Sequence, residues 1–307
     1  MRKDAAVAAL MLAIDPHGLG GARLRGGPGP ARDAWLKLLA ALAPEGAPWR
    51  RIPAQTDVAE LLGGLDLAAT LSAGRPALRS GLLAEANGGF TVIHMAERLS
   101  RSAAAHIGQA LDCGVLTVAR DGATQEAPAK LSAIALDEGE EDEATPASLS
   151  ERLAFSLALD GLRPTGGRPE GPFFVVPDHE AGVARGRLSK IDVPEAIVTA
   201  LVAAAEALGI ASPRAAILAV RAARVSAALA GRSEATAEDA ALAARLVLAH
   251  RATRIPAAPD APEPEQPEPQ STEDVQADEP RDMRRDTHLA ETVVEAARSA
   301  LPSGLLA

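Results

Sequence analysis

The octapeptide Gly26-Gly27-Pro28-Gly29-Pro30-Ala31-Arg32-Asp33 follows a short apolar run and opens an amphipathic stretch. A glycine-rich turn in that setting can bring backbone N–H groups and a helix N-terminus against phosphate. The spacing G-x-x-x-x-G-K-[ST] is met only in part. Ala31 stands where the second motif glycine is needed, Arg32 where lysine is needed, and Asp33 where a hydroxyl would bind Mg²⁺. Pro28 and Pro30 remove two N–H donors, and Asp33 adds a negative charge where phosphate would lie. The competing reading is an ordinary Gly/Pro turn between a strand and a helix.

A second motif, Phe90-Thr91-Val92-Ile93-His94-Met95-Ala96-Glu97, reads as a buried strand with its carboxyl end at His94. A nucleotide hydrolase places Asp-Glu at such a strand end, one carboxylate supporting Mg²⁺ and the other orienting water. His94 and Met95 cannot supply those two carboxylates. Taken alone, His94 reads as a satisfied histidine at a strand end. The six histidines are scattered without metal-ligand spacing, and the single cysteine, Cys113, excludes an internal disulfide. That fits a reducing cytoplasm. Cys113 itself reads as a small packing residue at a helix end.

These residues need a scaffold, and the chain supplies the pattern for one. Candidate strands are Ala22–Arg25, Arg50–Pro53, Phe90–His94, Leu131–Leu136 and Phe155–Leu159. A hairpin at Val115–Arg120 and Thr124–Ala127 turns at Asp121-Gly122. Helices are expected at Asp33–Ala43, Asp57–Leu62, Leu78–Ala86 and Ala103–Cys113. The apolar run Ala5–Ile14 is too short to span a bilayer and reads as a helix packed on the body. Alternation of this kind predicts an α/β domain over residues 1–188. Residues 189–254 read as wholly helical, with Pro194 opening one helix, Pro213 at the first turn of another, and Thr236-Ala237-Glu238-Asp239 capping a third.

Hydrophobic residues make up 47% of the chain but aromatics only 2%, so the core must be built from Ala, Leu and Val. The formal net charge of −10 is concentrated in residues 256–282, which hold nine acids and one Arg. No basic nucleic-acid footprint is visible. Residues 255–284 read as an acidic, Pro-rich linker without apolar periodicity. Residues 285–307 begin a further region with a short amphipathic helix at Thr287–Leu301. The run Asp137–Glu143 reads as a solvated loop.

Residues 56–99 carry Leu61-Leu62-Gly63, Leu65-Asp66, and Gly74 through Gly81-Leu82-Leu83-Ala84-Glu85-Ala86 ahead of the second motif. With Gly20-Gly21 and Ala119-Arg120-Asp121-Gly122, this ordered set resembles the AAA+ subunits of magnesium chelatase over residues 5–254. The resemblance implies an AAA+ P-loop NTPase-like parallel sheet with flanking helices, followed by an all-helical domain. An eroded nucleotide site followed by an acidic linker is similar to the D-type subunit rather than the active I-type. The integrin-type domain of that subunit, with its Asp-x-Ser-x-Ser, has no counterpart here, so the chain is expected to be part of a longer protein.

The resemblance also assigns roles. Ser148-Leu149-Ser150-Glu151-Arg152-Leu153 matches the family block before the fifth strand, which would make Arg152 an arginine finger for a neighbouring subunit. The competing role for Arg152 is an ion pair with Glu151 or the acidic run. Ser212-Pro213-Arg214 matches the sensor-2 position, which would carry Arg214 to the chain's own nucleotide. Arg221 and Arg224 follow on the same helix. The implied activity is ATP-dependent insertion of Mg²⁺ into protoporphyrin IX. In it this chain is a platform in a ring, ATP/Mg²⁺ binds at the I-subunit interface, and the H subunit holds the porphyrin. A cobalt chelatase, a MoxR-like AAA+ protein, or a scaffold that binds no nucleotide are the alternatives.

Overall fold

The structure is a computed structural model, and it describes residues 2–74, 78–120, 123–140, 142–159 and 178–254. The expected linker and the helix at Thr287–Leu301 lie outside the described residues, as does the Asp121-Gly122 turn.

Helix α1 (Arg2–Ile14) and the single turn α2 (Pro16–Leu19) lead into strand β1 (Gly21–Arg25), and α3 (Pro30–Leu42) follows. Next come β2 (Trp49–Ile52), α4 (Val58–Leu62), β3 (Gly63–Leu65), α5 (Leu67–Ala73), β4 (Leu78–Ser80), α6 (Leu82–Glu85) and β5 (Phe90–Ile93). After β5 the chain forms α7 (Arg101–Cys113), the hairpin β6 (Val115–Arg120) and β7 (Ala123–Pro128), β8 (Ser132–Asp137), α8 (Ala147–Ser150) and β9 (Phe155–Ala158). The remaining helices are α9 (Asp178–Arg187), α10 (Glu195–Ala207), α11 (Pro213–Leu229) and α12 (Ala237–Ala243). Helix α12 runs on through a π-helical turn, Ala244–Leu248, into a 3₁₀ turn, Ala249–Arg251.

Five strands make one parallel sheet in the order β2-β5-β8-β1-β9. Alternation along β8 divides its two faces. Ile134 and Leu136 join the cluster with α1, α3 and the carboxyl-terminal helices, whereas Ala133 and Ala135 join Ile107 and Leu111 of α7 on the other face. The first cluster continues without a break into Ile197, Leu201, Leu218 and Leu248, so sheet and helical region share one core. Small side chains allow this: α11 buries seven alanines. The two tryptophans stand on the same face. Buried Trp35 donates its indole N–H to the Ala5 carbonyl at 2.8 Å, tying α3 to α1, and Trp49 stacks on Phe90 with ring centroids 4.5 Å apart.

One expected helix is corrected. Leu78–Ser80 is not the start of a helix through Ala86 but a strand, paired antiparallel with Gly63–Leu65. The backbones meet at Gly63 and Gly81, where a Cβ would lie 2.1 Å from the Arg79 carbonyl and 2.2 Å from the Gly63 nitrogen. Only after Gly81 does the chain turn into α6. Among the described residues no helix is long and apolar enough to cross a membrane.

Candidate functional site

In a parallel sheet every strand ends on the same edge, so the topology sorts the candidate residues into two groups. At the carboxyl edge lie the loop 26–33 after β1, His94 and Met95 after β5, and the segment after β8. At the amino edge lie Gly20, the end of α7 and the segment that leads into β9.

At the carboxyl edge Gly26, Gly27 and Gly29 form the turn between β1 and α3, with Pro30 opening the helix and Ala31, Arg32 and Asp33 in its first turn. The Gly26 N–H donates to the Asp137 carbonyl at 2.9 Å. Arg32 is buried, and its Nη1 lies 2.6 Å from Glu138 Oε1. Asp33 points to solvent. Met95 is the one non-glycine residue with positive φ among those described, at 49°. For an unbranched side chain with no turn glycine's freedom this is a strained position. His94 is half-buried. Burial pushes its imidazole below the ordinary value, the Arg51 and Arg32 guanidinium groups push it the same way, and Glu138 opposes them. It therefore stands as a neutral ring at neutral pH.

The acidic run after β8 is solvated only in part: Glu140, Asp142 and Glu143 are exposed, whereas Asp137 and Glu138 at its start are held by the protein. Asp137 is 2% exposed and accepts from the Gly139 N–H at 3.1 Å and the Thr145 hydroxyl at 3.0 Å, while Arg23 lies 3.8 Å away. The Glu138 N–H donates to Glu97 Oε2 at 3.0 Å. Arg32 thus meets a carboxylate where a loop lysine would meet phosphate. The sequence hides this partner because Glu138 is one of six carboxylates in seven residues.

At the amino edge a second constellation forms. Arg152 donates to Asp112 Oδ2 from Nε at 2.9 Å and from Nη2 at 2.5 Å, and its Nη1 bonds the Ser148 carbonyl. Arg214, at the start of α11, donates to the other oxygen of the same carboxylate, Nη1 to Oδ1 at 2.6 Å. Arg221, two turns further along α11, donates to the Gly18 carbonyl at 2.7 Å. These groups line a cleft of about 250 Å³ with His17, Gly20 and Ile217. Partial burial alone would raise the Asp112 carboxyl, but the hydrogen bond and charge of Arg152, with those of Arg214, hold it below the ordinary carboxylate value.

The partner of Arg152 is therefore neither Glu151 nor the acidic run. Arg214 is not beside loop 26–33: it faces the opposite edge of the sheet, with Arg152. Asp112 was missed by the sequence reading, although it leaves one signal. A carboxylate in the last turn of a helix opposes the helix dipole, so Asp112 at the end of α7 calls for a cation to compensate it. Cys113 beside it is exposed, not a packing residue.

The geometry gives the shared carboxylate the position of an anion gripped by two arginines. Comparison with known proteins supplies the rest. Residues 198–274 match the model of an AAA lid domain. The chain is 42% identical over 300 residues to the magnesium-chelatase 60 kDa subunit of Cereibacter sphaeroides, covering 96% of this chain and 49% of that protein. Over its matched residues the chain is similar to the D-type subunits of magnesium chelatases.

It spans about half the length of the D-subunit relatives it matches. It is also 25% identical over 305 residues to the magnesium-chelatase 38 kDa subunit of Rhodobacter capsulatus, covering 83% of this chain and 87% of that one. A crystal structure of a protein classed as an ATPase from Cytophaga hutchinsonii shares the fold. Its TM-score is 0.58 at 18% identity, over 80% of this chain and 81% of that one. The AAA+ architecture expected from the ordered motifs is the one observed.

Proposed function

We propose that this chain is the D-type AAA+ platform of an ATP-dependent magnesium chelatase, acting in the cytoplasm. It joins 38 kDa-type (I) ATPase subunits in a ring and couples them to a large porphyrin-binding (H) subunit. The complex is a ligase that forms the nitrogen–magnesium bonds of Mg-protoporphyrin IX, with Mg²⁺ as its substrate. Residues 1–188 are the α/β domain and 189–254 the helical lid.

One observation carries this reading: Arg152 and Arg214 converge on one carboxylate at the edge of the sheet opposite the chain's own nucleotide loop. Groups on that edge lie away from the chain's own loop and are therefore placed to serve a neighbour. A guanidinium is always charged and offers phosphate a rigid fork of donors, so the pair is suited to stabilising charge on the γ-phosphate of ATP held by an adjacent I subunit. In the free chain Asp112 stands in for that phosphate.

The chain's own loop is unsuited to the same work. MgATP bound there would be held by the Gly26, Gly27 and Gly29 backbone and by Arg32. The two prolines remove donors, Asp33 repels phosphate, and His94 and Met95 offer Mg²⁺ no carboxylate. Pairing of Arg32 with Glu138 favours a loop that holds no nucleotide, so the chain hydrolyses little or no ATP itself.

Reconstitution tests the proposal. Magnesium insertion into protoporphyrin, followed by porphyrin fluorescence, should require the full-length D-family protein together with I and H subunits and ATP. Insertion at the full rate without it, or insertion of cobalt in preference to magnesium, would contradict the reading.

A further inference from the structure

Arg251 closes the last turn of the helical region and reaches back across the core to the segment that carries Arg152. Its Nη1 donates to the Ala154 carbonyl at 3.1 Å, its Nη2 to the Leu153 carbonyl, and Nη1 also to the Val247 carbonyl of its own helix. His250 Nε2 lies 2.6 Å from the same Nη1. Among the described residues no carboxylate forms an ion pair with it. Burial, and then Arg23, pull its guanidinium down to about 10, with Glu151 opposing, so it remains charged at neutral pH. Desolvating a cation and satisfying it with carbonyls and a ring nitrogen, without a carboxylate, is costly. An apolar side chain would fill the space at lower cost, but it could not hold two successive carbonyls.

Two other contacts fix the same segment from the sheet side. The Ala154 N–H donates to the Leu19 carbonyl at 3.0 Å. Gly20 admits the Arg152 carbonyl so closely that a Cβ there would lie 2.1 Å from it. Arg251 is the tie from the helical side, and that side also carries Arg214. The arrangement therefore sets the relative position of the two arginines that meet at Asp112.

We propose that Arg251 is a positioning residue: its fork locks residues 152–154 to the helical region and so aims Arg152 at the same point as Arg214. This rests on the reading of Arg152 as a finger. A lysine at position 251 would keep the charge but present a point donor in place of a planar fork, so Arg251→Lys is the milder variant and Arg251→Met the stronger one.

The test is a cycle in the full reconstituted complex of D, I and H subunits, reading ATP turnover, the apparent KM for ATP, and assembly by sedimentation. Arg251→Lys should lower turnover by about tenfold or more, as expected when a reacting group is misplaced by a fraction of an ångström. The KM and assembly should stay unchanged. Added to Arg152→Ala, it should cost no more than about a further twofold, because both changes remove one interaction. Wild-type turnover in both Arg251 variants overturns the proposal. So does an equal fall in the Arg152→Ala background, which would mark general damage to the fold. Wild-type turnover for Arg152→Ala alone overturns the finger reading itself, and this inference with it.

Discussion

Arg152 and Arg214 hold opposite oxygens of a single carboxylate, that of Asp112, at 2.5 and 2.6 Å. One arginine comes from the segment ahead of the last strand of the sheet and the other from the start of α11, so the Asp112 side chain is a joint between sheet and helical region. Replacing it with alanine leaves two guanidinium groups facing each other. The groups are partly exposed and screened, so Asp112→Ala should lower stability by about 1 kcal/mol in urea denaturation at neutral pH. The folded-state carboxyl is held below its unfolded value, so its stabilising effect is present above that value. The gap between wild type and variant should close as the pH falls through the native value. A gap that persists unchanged into strong acid would remove the ion-pair explanation.

Gly20 should tolerate no side chain. Its φ is +70°, and a Cβ would lie 2.1 Å from the Arg152 carbonyl. Gly20→Ala is expected to cost about 2 kcal/mol or more. Thermal unfolding measures it; a variant as stable as the wild type would mean that the two segments do not approach as described.

His94 reports on the carboxyl edge. Burial depresses its titration, with Arg51 and Arg32 adding to the effect. In Arg32→Met the ring should titrate at higher pH than in the wild type, because one repelling cation is gone and Glu138 is released from its partner. Imidazole NMR shifts followed through the acid range measure this, and a shift to lower pH would contradict the placement of Arg32 and Glu138.

The free chain should turn over ATP negligibly. Neither His94 nor Met95 can hold Mg²⁺ or orient water as a carboxylate does. A steady-state rate comparable with that of ordinary AAA+ motors, abolished by Arg32→Ala, would show that the loop is active after all.

All five strands of the central sheet and the helices around Trp35 and Ile107 were legible in the sequence, because apolar runs with strand or helix spacing report burial directly; the β6–β7 hairpin was legible from the Asp-Gly pair between its strands. Leu78–Ser80 was not. Its helical composition is overridden by pairing with a glycine-rich strand, a contact that no local pattern records. Arg152 and Arg214 could be named from motif order, but their meeting could not be foreseen. It depends on which edge of the sheet the helical region packs against, and that is decided by the continuous alanine-rich core from α1 to α11. Asp112 and Glu138 illustrate the general difficulty: a carboxylate acquires a role only through a partner distant in sequence, 40 residues away for Arg152 and 106 for Arg32.

The finger assignment is tested most directly by Arg152→Ala in the reconstituted complex, read as ATP turnover and magnesium insertion at saturating I and H subunits. Loss of a finger can cost on the order of 10³-fold at one site, and in the proposed ring I–I interfaces would mask part of it. The account predicts a strong fall in both rates with the fold and the binding of I subunits retained. Wild-type rates would contradict it and leave the Asp112 ion pair as the whole role of Arg152.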